Sequence, residues 1–297
     1  MKNWIEAARL RTLPLALSCI LMGSFLATAA GKFDVLIFTL SCLTTVLLQV
    51  LSNFANDYGD TVNGKDTDAR VGPKRQVHAG AISVLSMRRA IFWLAGASLV
   101  SGLGLLYEAL RSAPPQTFWV FLGVGIGAII AAITYTAGKN PYGYAGFGDV
   151  AVLVFFGWVG VLGSYYLYTL SLDWSLLWPA TSCGLFAVGV LNLNNMRDIK
   201  SDTLTGKRSI PVRIGRHNAA WYHTALLVVG LGCAIAYVLR KNYEPIGFLF
   251  LLTAPLFYLN IRAVWLKTDQ HLDPYLKQLA LTTLLFVVLF GLGQIWV

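Results

Sequence analysis

The chain has 297 residues, of which 56% are hydrophobic and only 12% charged. A mean hydropathy of +0.62 excludes an ordinary soluble domain. The formal charge of +9 would suit a nucleic-acid partner, but its distribution along the chain argues for a membrane and against nucleic acid.

Apolar runs of about 18 residues or more are long enough to cross a bilayer as helices. Nine occur, at roughly 13–30, 35–55, 90–108, 117–137, 148–170, 174–196, 218–239, 245–265 and 276–296. Strands of a membrane barrel would be about ten residues long and strictly alternating. The predicted fold is therefore an all-α, polytopic membrane protein, with nine transmembrane helices forming one domain over residues 1–297. Gly123, Gly125 and Gly127 in the fourth run, and Gly157, Gly160 and Gly163 in the fifth, predict close helix–helix approach. Cys19, Cys42, Cys183 and Cys233 all fall inside runs without metal-ligand spacing, which predicts small packing residues. Thr28-Ala29-Ala30 follows the first run as a signal-peptide cleavage site would, but the run is long and eight more follow, so an uncleaved helix is expected.

With the N-terminus inside, 19 of the 23 Lys and Arg residues fall on the cytoplasmic side. That bias predicts N-terminus in, C-terminus out. Two long polar loops, about 56–89 and 197–217, then share the cytoplasmic face. Each begins at an Asn-rich helix end, continues through spaced Asp residues and reaches a Gly with a basic pair. Asp57 and Asp60 lead to Gly72 and Lys74-Arg75; Asp198 and Asp202 lead to Gly206 and Lys207-Arg208. Asp57 and Asp198 lie 141 residues and four spans apart, which predicts two pseudo-repeated four-helix units and one further span.

These loops hold six of the fourteen carboxylates: Asp57, Asp60, Asp66, Asp68, Asp198 and Asp202. Carboxylates at the edge of hydrocarbon stay charged at low cost only when a cation binds them. Asn53, Asn56, Asp57 and Asp60 are three or four apart, as are Asn195, Asp198 and Asp202, so each set is expected to share a helix face. Oxygen donors without His or Cys suit Mg²⁺, which binds through a few carboxylates together with substrate phosphates. Neither loop carries a Gly-x-x-x-x-Gly-Lys-Ser/Thr phosphate loop, so a nucleotide is not the expected phosphate carrier. A diphosphate with an apolar tail in the bilayer is. Arg70, Lys74, Arg75, Lys139, Arg197, Lys207 and Arg208 lie on the same side to receive a leaving diphosphate. Tyr135, Tyr142 and Tyr144 are near the same membrane edge, where aromatic faces stabilise an allylic cation. His78, His217, His223 and His271 show no ligand spacing and are expected to be bland.

Several motifs resemble those of a known family. Asn56-Asp57-Tyr-Gly-Asp60 and Asp198-Ile-Lys-Ser-Asp202 resemble the first and second Asp-rich motifs of the UbiA superfamily of intramembrane aromatic prenyltransferases. Tyr135-Thr-Ala-Gly-Lys139 resembles its intervening Tyr-x-x-x-Lys. Arg9-Leu-Arg11-Thr-Leu-Pro14, Val71-Gly-Pro-Lys-Arg75, Tyr142-Gly-Tyr144-Ala-Gly146-Phe-Gly-Asp149 and Asn194-Asn195-Met-Arg197-Asp198 look most like the branch that prenylates 1,4-dihydroxy-2-naphthoate in menaquinone synthesis. One departure stands: the family often places a further acid where this chain has Gly64, so the third acid of the first motif falls to Asp66 or Asp68.

The resemblance implies Mg²⁺-dependent transfer of a polyprenyl group from an allylic diphosphate to that aromatic acid, with loss of CO₂. It implies metal ligation by Asp57, Asp60, Asp66, Asp198 and Asp202, with Asn53, Asn56 and Asn195 in support. Diphosphate binding would fall to Lys139, Arg197, Lys207, Arg70 and Arg75, and substrate contacts to Tyr135, Tyr142 and Arg11, the last to the aromatic carboxylate. A multi-pass protein of the bacterial inner membrane is implied, with its site facing the cytoplasm. The competing readings are the same transfer to 4-hydroxybenzoate or homogentisate and, from other classes, a secondary transporter or a lipid-alcohol phosphotransferase. The transporter reading is disfavoured because its ionisable groups belong near the midplane on broken helices. The phosphotransferase reading lacks its compressed Asp-x-x-Asp-Gly-x-x-Ala-Arg stretch.

Overall fold

Several apolar runs begin where the sequence supplies a start signal. Asp34 accepts the amides of Leu36 and Ile37 at 2.8 and 3.0 Å, and Ser83 accepts the amide of Ser86 at 3.2 Å, satisfying N–H groups that a helix start leaves open. Pro115 sits in the first turn of the fourth helix, where its missing N–H costs nothing. The computed structural model describes residues 1–66, 71–241 and 244–296. Among the described residues, nine helices are long and apolar enough to cross a membrane. They are α1 (Lys2–Ala29), α2 (Val35–Val62), α3 (Val84–Ala109), α4 (Pro115–Thr134), α5 (Gly148–Thr169), α6 (Trp174–Arg197), α7 (Ile210–Arg240), α8 (Pro245–Leu266) and α9 (Gln270–Ile295).

Several of these depart from a plain rod, each for a local reason. Helix α1 breaks at Arg9, which adopts the left-handed conformation (φ 49°) before a short 3₁₀ turn at Leu10–Thr12. Asn53 of α2 holds that break by donating to Ala8 O at 2.8 Å and Thr12 Oγ1 at 3.1 Å. Helix α5 is π-helical over Leu153–Leu162, and α8 starts as a 3₁₀ helix over Pro245–Thr253. In α7, Gly215 takes φ 80° and ψ 163°, which only a residue without Cβ adopts freely, and the long helix runs on from there.

Packing in lipid depends on close van der Waals contact and not on burial from water. The main core joins α6, α8 and α9 through Phe186, Phe250, Phe257, Phe286 and Phe290, with Phe186 and Phe257 stacked at 4.4 Å. Of the expected small-residue contacts, two form in α5. A Cβ on Gly157 would meet Ala180 O at 2.8 Å, and one on Gly160 would meet Cys19 Sγ at 2.8 Å. The expectation fails for α4: Gly123, Gly125 and Gly127 have nothing within 4 Å of a Cβ position. Gly125 borders a central cavity, so its small size widens space and seats no neighbouring helix. That cavity measures about 1050 Å³ and is walled by α1 to α6 and α9. Both Asn/Asp-rich helix ends open into it.

Candidate active site

The first acidic set lies on the last two turns of α2, which runs through it to Val62. Asn and Asp weaken helix interiors because their side chains compete for backbone partners. Here each has a partner elsewhere. Asn53, Asn56 and Asp60 share one stripe and face the cavity. Asp57 does not. Its carboxylate is 1% exposed, and its two oxygens accept the amides of Gln76 at 2.9 Å and Val77 at 3.0 Å. Asp57 thus fastens the following loop to α2. Asp66 is also buried; it accepts from Thr61 at 3.3 Å, lies 3.6 Å from Arg75 Nε and stands apart from the cavity wall. Asp68 and Arg70 lie outside the described residues.

The second set straddles a helix junction. α6 ends at Arg197, Asp198 caps it (φ −95°, ψ 10°), and a short helix over Ile199–Leu204 carries Asp202. The Asp202 amide donates to Asp198 O at 2.9 Å, so the two acids still sit one turn apart. Asn195, Asp198 and Asp202 all face the cavity.

The two sets match one another at an offset of 142 residues, one more than pairing Asp57 with Asp198 gives. Asn53 then corresponds to Asn195, Asn56 to Asp198, Asp60 to Asp202, Gly64 to Gly206 and Lys65 to Lys207. All six oxygen-bearing members of this list reach the cavity. The backbones agree as well. Gly64 (φ 64°) and Gly206 (φ 72°) are both left-handed, and Lys65 and Lys207 donate their amides back to Asp60 O at 2.8 Å and Asp202 O at 2.9 Å. Each helix therefore ends in the same glycine-capped turn. The left-handed backbone at position 64 favours glycine over a residue with a side chain, where the family often places an acid.

The cations are deployed unequally. Arg75 is buried and pairs with Asp60. Its Nη1 has no hydrogen-bond partner among the described residues, and the same holds for Ser209 Oγ; both residues border the cavity. Arg197, 1% exposed, grips Asp198 through Nε and Nη2 at 2.9 and 2.8 Å and reaches Asp273 Oδ1 through Nη1 at 2.5 Å. Arg11 meets the other Asp273 oxygen at 3.2 Å and borders the cavity. A Cβ at Gly72 would lie 2.5 Å from Arg197 Nη2, so the loop fastened by Asp57 closes directly over this arginine. Lys207 Nζ bridges the two acidic sets, 3.1 Å from Asp60 Oδ1 and 3.8 Å from Asp202 Oδ1. Lys139, Lys74 and Arg208 are exposed, and Lys139 stands off the cavity wall on the turn after α4.

Tyr144 donates its hydroxyl to Asp60 Oδ1 at 2.8 Å, while Lys65 and Lys207 sit over its ring at 5.6 and 5.3 Å. Burial, reinforced by the Asp60 charge, holds its phenol protonated well above the ordinary range. Burial likewise raises Tyr135 and pushes Tyr142 up to about 12. Tyr135 and Tyr142 pack edge to face at 5.3 Å on the cavity wall, and Tyr142 donates to Ala131 O at 2.9 Å. Of the histidines, His223 is buried against Asn260 at 2.9 Å and His217 packs on Trp265.

Among the described residues, no group of three or more His, Cys, Asp or Glu side chains is gathered as a metal cage. The acids are instead neutralised by Arg75, Arg197 and Lys207. The donor set still fits Mg²⁺: it is all oxygen at the polar end of the cavity, and that ion needs only one or two carboxylates when a diphosphate completes its shell. The unpartnered Arg75 Nη1 and Ser209 Oγ fit the diphosphate.

A helical membrane bundle whose apolar cavity ends in two matched oxygen sets and a ring of cations defines an intramembrane enzyme for an anionic head on an apolar tail. Residues 16–283 match the UbiA prenyltransferase family, and the chain belongs to that family. It is 44% identical to the 1,4-dihydroxy-2-naphthoate octaprenyltransferase of Haemophilus influenzae, covering 99% of this chain and 96% of that one. Against the Escherichia coli K12 enzyme of the same name it is 45% identical over 98% and 96%. A UbiA homolog from Aeropyrum pernix K1 shares the fold at a TM-score of 0.69 and 18% identity, covering 96% and 97% of the two chains. Another, from Archaeoglobus fulgidus bound to GPP and Mg²⁺, shares it at 0.63 and 16%, covering 98% and 100%.

Proposed function

We propose that this chain transfers a polyprenyl group from an allylic polyprenyl diphosphate to 1,4-dihydroxy-2-naphthoate, releasing diphosphate and CO₂. The observation that carries the proposal is the cavity itself, with two matched oxygen sets at its polar end and room for an apolar tail below. The acceptor rests on the relatives that share 44–45% identity over nearly the whole chain.

In this reading Asp60, Asp198 and Asp202, supported by Asn53, Asn56 and Asn195, hold the cation; Asp57 serves them by fixing the loop. Mg²⁺ would supply charge neutralisation to the diphosphate as its C–O bond breaks. Lys207 and Arg75 take up the growing negative charge on the diphosphate oxygens, while Arg197, held off the cavity wall, positions Asp198. Tyr135 and Tyr142 face the allylic cation with their rings and do not ionise to trap it. Arg11 holds the acceptor carboxylate. The ring carbon donates its electron pair to the allylic carbon, a C–C bond forms, and loss of CO₂ returns the pair to the ring. The product is demethylmenaquinol, whose oxidised form is demethylmenaquinone. Exclusion of water from the cavity prevents quenching of the cation to a prenyl alcohol. The charge bias of the loops supports a bacterial inner-membrane enzyme with its polar end toward the cytoplasm.

The test is incubation of the purified protein, in lipid nanodiscs with Mg²⁺, with octaprenyl diphosphate and each aromatic acid in turn. Prenylated naphthoquinol and CO₂ are expected with 1,4-dihydroxy-2-naphthoate. Product only with 4-hydroxybenzoate or homogentisate would move the assignment to that acceptor.

A further inference from the structure

We infer that the ammonium of Lys207 is a tethered stand-in for the divalent cation, pinning the two acidic sets together until metal and diphosphate arrive together. This deepens the function proposed above and rests on its metal site. Lys207 Nζ lies 3.1 Å from Asp60 and 3.8 Å from Asp202, the corresponding acids of the two halves. Its side chain is 13% exposed and rests against the Tyr144 ring at 5.3 Å. The left-handed turn at Gly206 aims it, because the Lys207 amide returns to Asp202 O and leaves the side chain directed across the junction.

Its counterpart shows that this is a specific arrangement. Lys65 leaves an identical turn and crosses to the other half, but its ammonium donates to the carbonyl of Thr205 and not to a carboxylate. Lysine at both positions meets the same aromatic ring; only Lys207 bridges acids. Two facing carboxylates in a poorly hydrated site repel one another, and a cation between them relieves the repulsion. A cation on the chain does so without loss of translational freedom. A free divalent ion has to displace it, and the displaced ammonium then stands beside the ion, placed to meet a diphosphate oxygen. Metal alone therefore binds weakly, and metal with diphosphate binds well.

The experiment measures Mn²⁺ affinity by the EPR signal of the free ion, with the full chain in nanodiscs, with and without inorganic diphosphate. Wild type is expected to bind Mn²⁺ weakly alone and at least tenfold more tightly with diphosphate. Lys207→Met is expected to bind Mn²⁺ alone at least tenfold more tightly than wild type, with most of the gain from diphosphate lost. Lys65→Met, which removes the same charge nearby, is expected to stay within about threefold of wild type. An unchanged or weaker affinity in Lys207→Met overturns the inference, and so does an equal tightening in Lys65→Met, which would reveal a general field effect. Should Lys207→Met not fold, Lys207→Gln gives the same comparison, with the same results deciding. Prenyl transfer by wild type with no change of Mn²⁺ affinity in Lys207→Met sinks this inference alone. Tightening in Lys207→Met without transfer to any aromatic acid sinks only the assigned reaction.

Discussion

Asp57 and Asp60 lie one helical turn apart on α2, about 60° apart around its axis, yet meet different partners. Asp57 gives both oxygens to the amides of Gln76 and Val77, whereas Asp60 faces the cavity and meets Arg75, Tyr144 and Lys207. Their amide variants should therefore fail differently. Asp57→Asn replaces one acceptor oxygen with a donor against a buried amide and should cost about 1–3 kcal/mol of stability. Asp60→Asn also weakens a buried ion pair with Arg75, but its distinguishing effect should be the loss of metal-dependent diphosphate binding. Calorimetry beside a diphosphate titration separates the two; equal loss of binding without destabilisation in Asp57→Asn would show that Asp57 itself holds the ion.

Gly72→Ala tests the closure of the loop over Arg197. A Cβ placed 2.5 Å from Nη2 has to push the guanidinium away from Asp198 or lift the loop. A fall in kcat/KM of about tenfold or more is expected with helical circular dichroism unchanged. Wild-type kinetics from this variant would mean that the loop yields without cost.

Arg197→Leu leaves Asp198 buried with its principal charge partner gone, a change that costs about 3–5 kcal/mol in comparable buried pairs. Adding Asp198→Asn should recover part of that loss, because the uncompensated charge is removed. Thermal unfolding of the two single variants and the double variant measures the coupling. Additive losses would place the stabilising partner of Arg197 at Asp273 instead.

Lys139 is exposed on the turn after α4, where a cation acts by attracting an anionic substrate. Lys139→Ala is expected to raise KM for the prenyl diphosphate several-fold at low salt, leave kcat nearly unchanged and flatten the salt dependence. A large fall in kcat would instead put this ammonium on the diphosphate during the reaction.

Tyr142 gives the site an alkaline signature. Burial raises its phenol from the ordinary 10.0 to about 12. Below pH 10 the folded and unfolded states are both protonated and its contribution is complete. Between pH 10 and 12 the unfolded state loses the proton first, so stability falls as pH rises. Melting curves of Tyr142→Phe should start lower at neutral pH, since Ala131 O loses one of its two donors and keeps only the Tyr135 amide, and decline less steeply above pH 10. Parallel slopes would assign the alkaline loss to another group.

The spans, their number and the grouping of two polar helix ends were legible because apolar runs of that length have few alternatives in a membrane. The direction of each side chain was harder. A spacing of three or four places Asp57 near both Asn53 and Asp60, but consecutive residues on a helix differ by about 100°, and that separates Asp57 from Asn56 and puts it at the edge of the stripe. The repeat Asp-Thr-x-x-Gly-Lys at residues 60–65 and 202–207 was written in the chain and would have given the correct pairing. Asp273 carried no local signal at all. Its tie to Arg11 and Arg197 spans 262 and 76 residues, and only the packing of α9 beside α1 and α6 creates it. The open glycine face of α4 was misread because small residues suit either a tight contact or a void, and sequence does not distinguish these.

That open face carries a consequence for chain length. Val120 on α4 and Trp158 on α5 border the cavity and yet are 62% and 40% exposed, so this wall meets the acyl chains of the bilayer. A closed pocket measures a tail as a ruler with an end stop does, rejecting the unit that no longer fits. Here the wall at Val120 and Trp158 is open, so added isoprene units would extend sideways into a solvent of the same polarity. Under the proposed function, such a wall would leave the length of the quinone tail to whichever diphosphate is supplied and confine the protein's own discrimination to the head and its first few units.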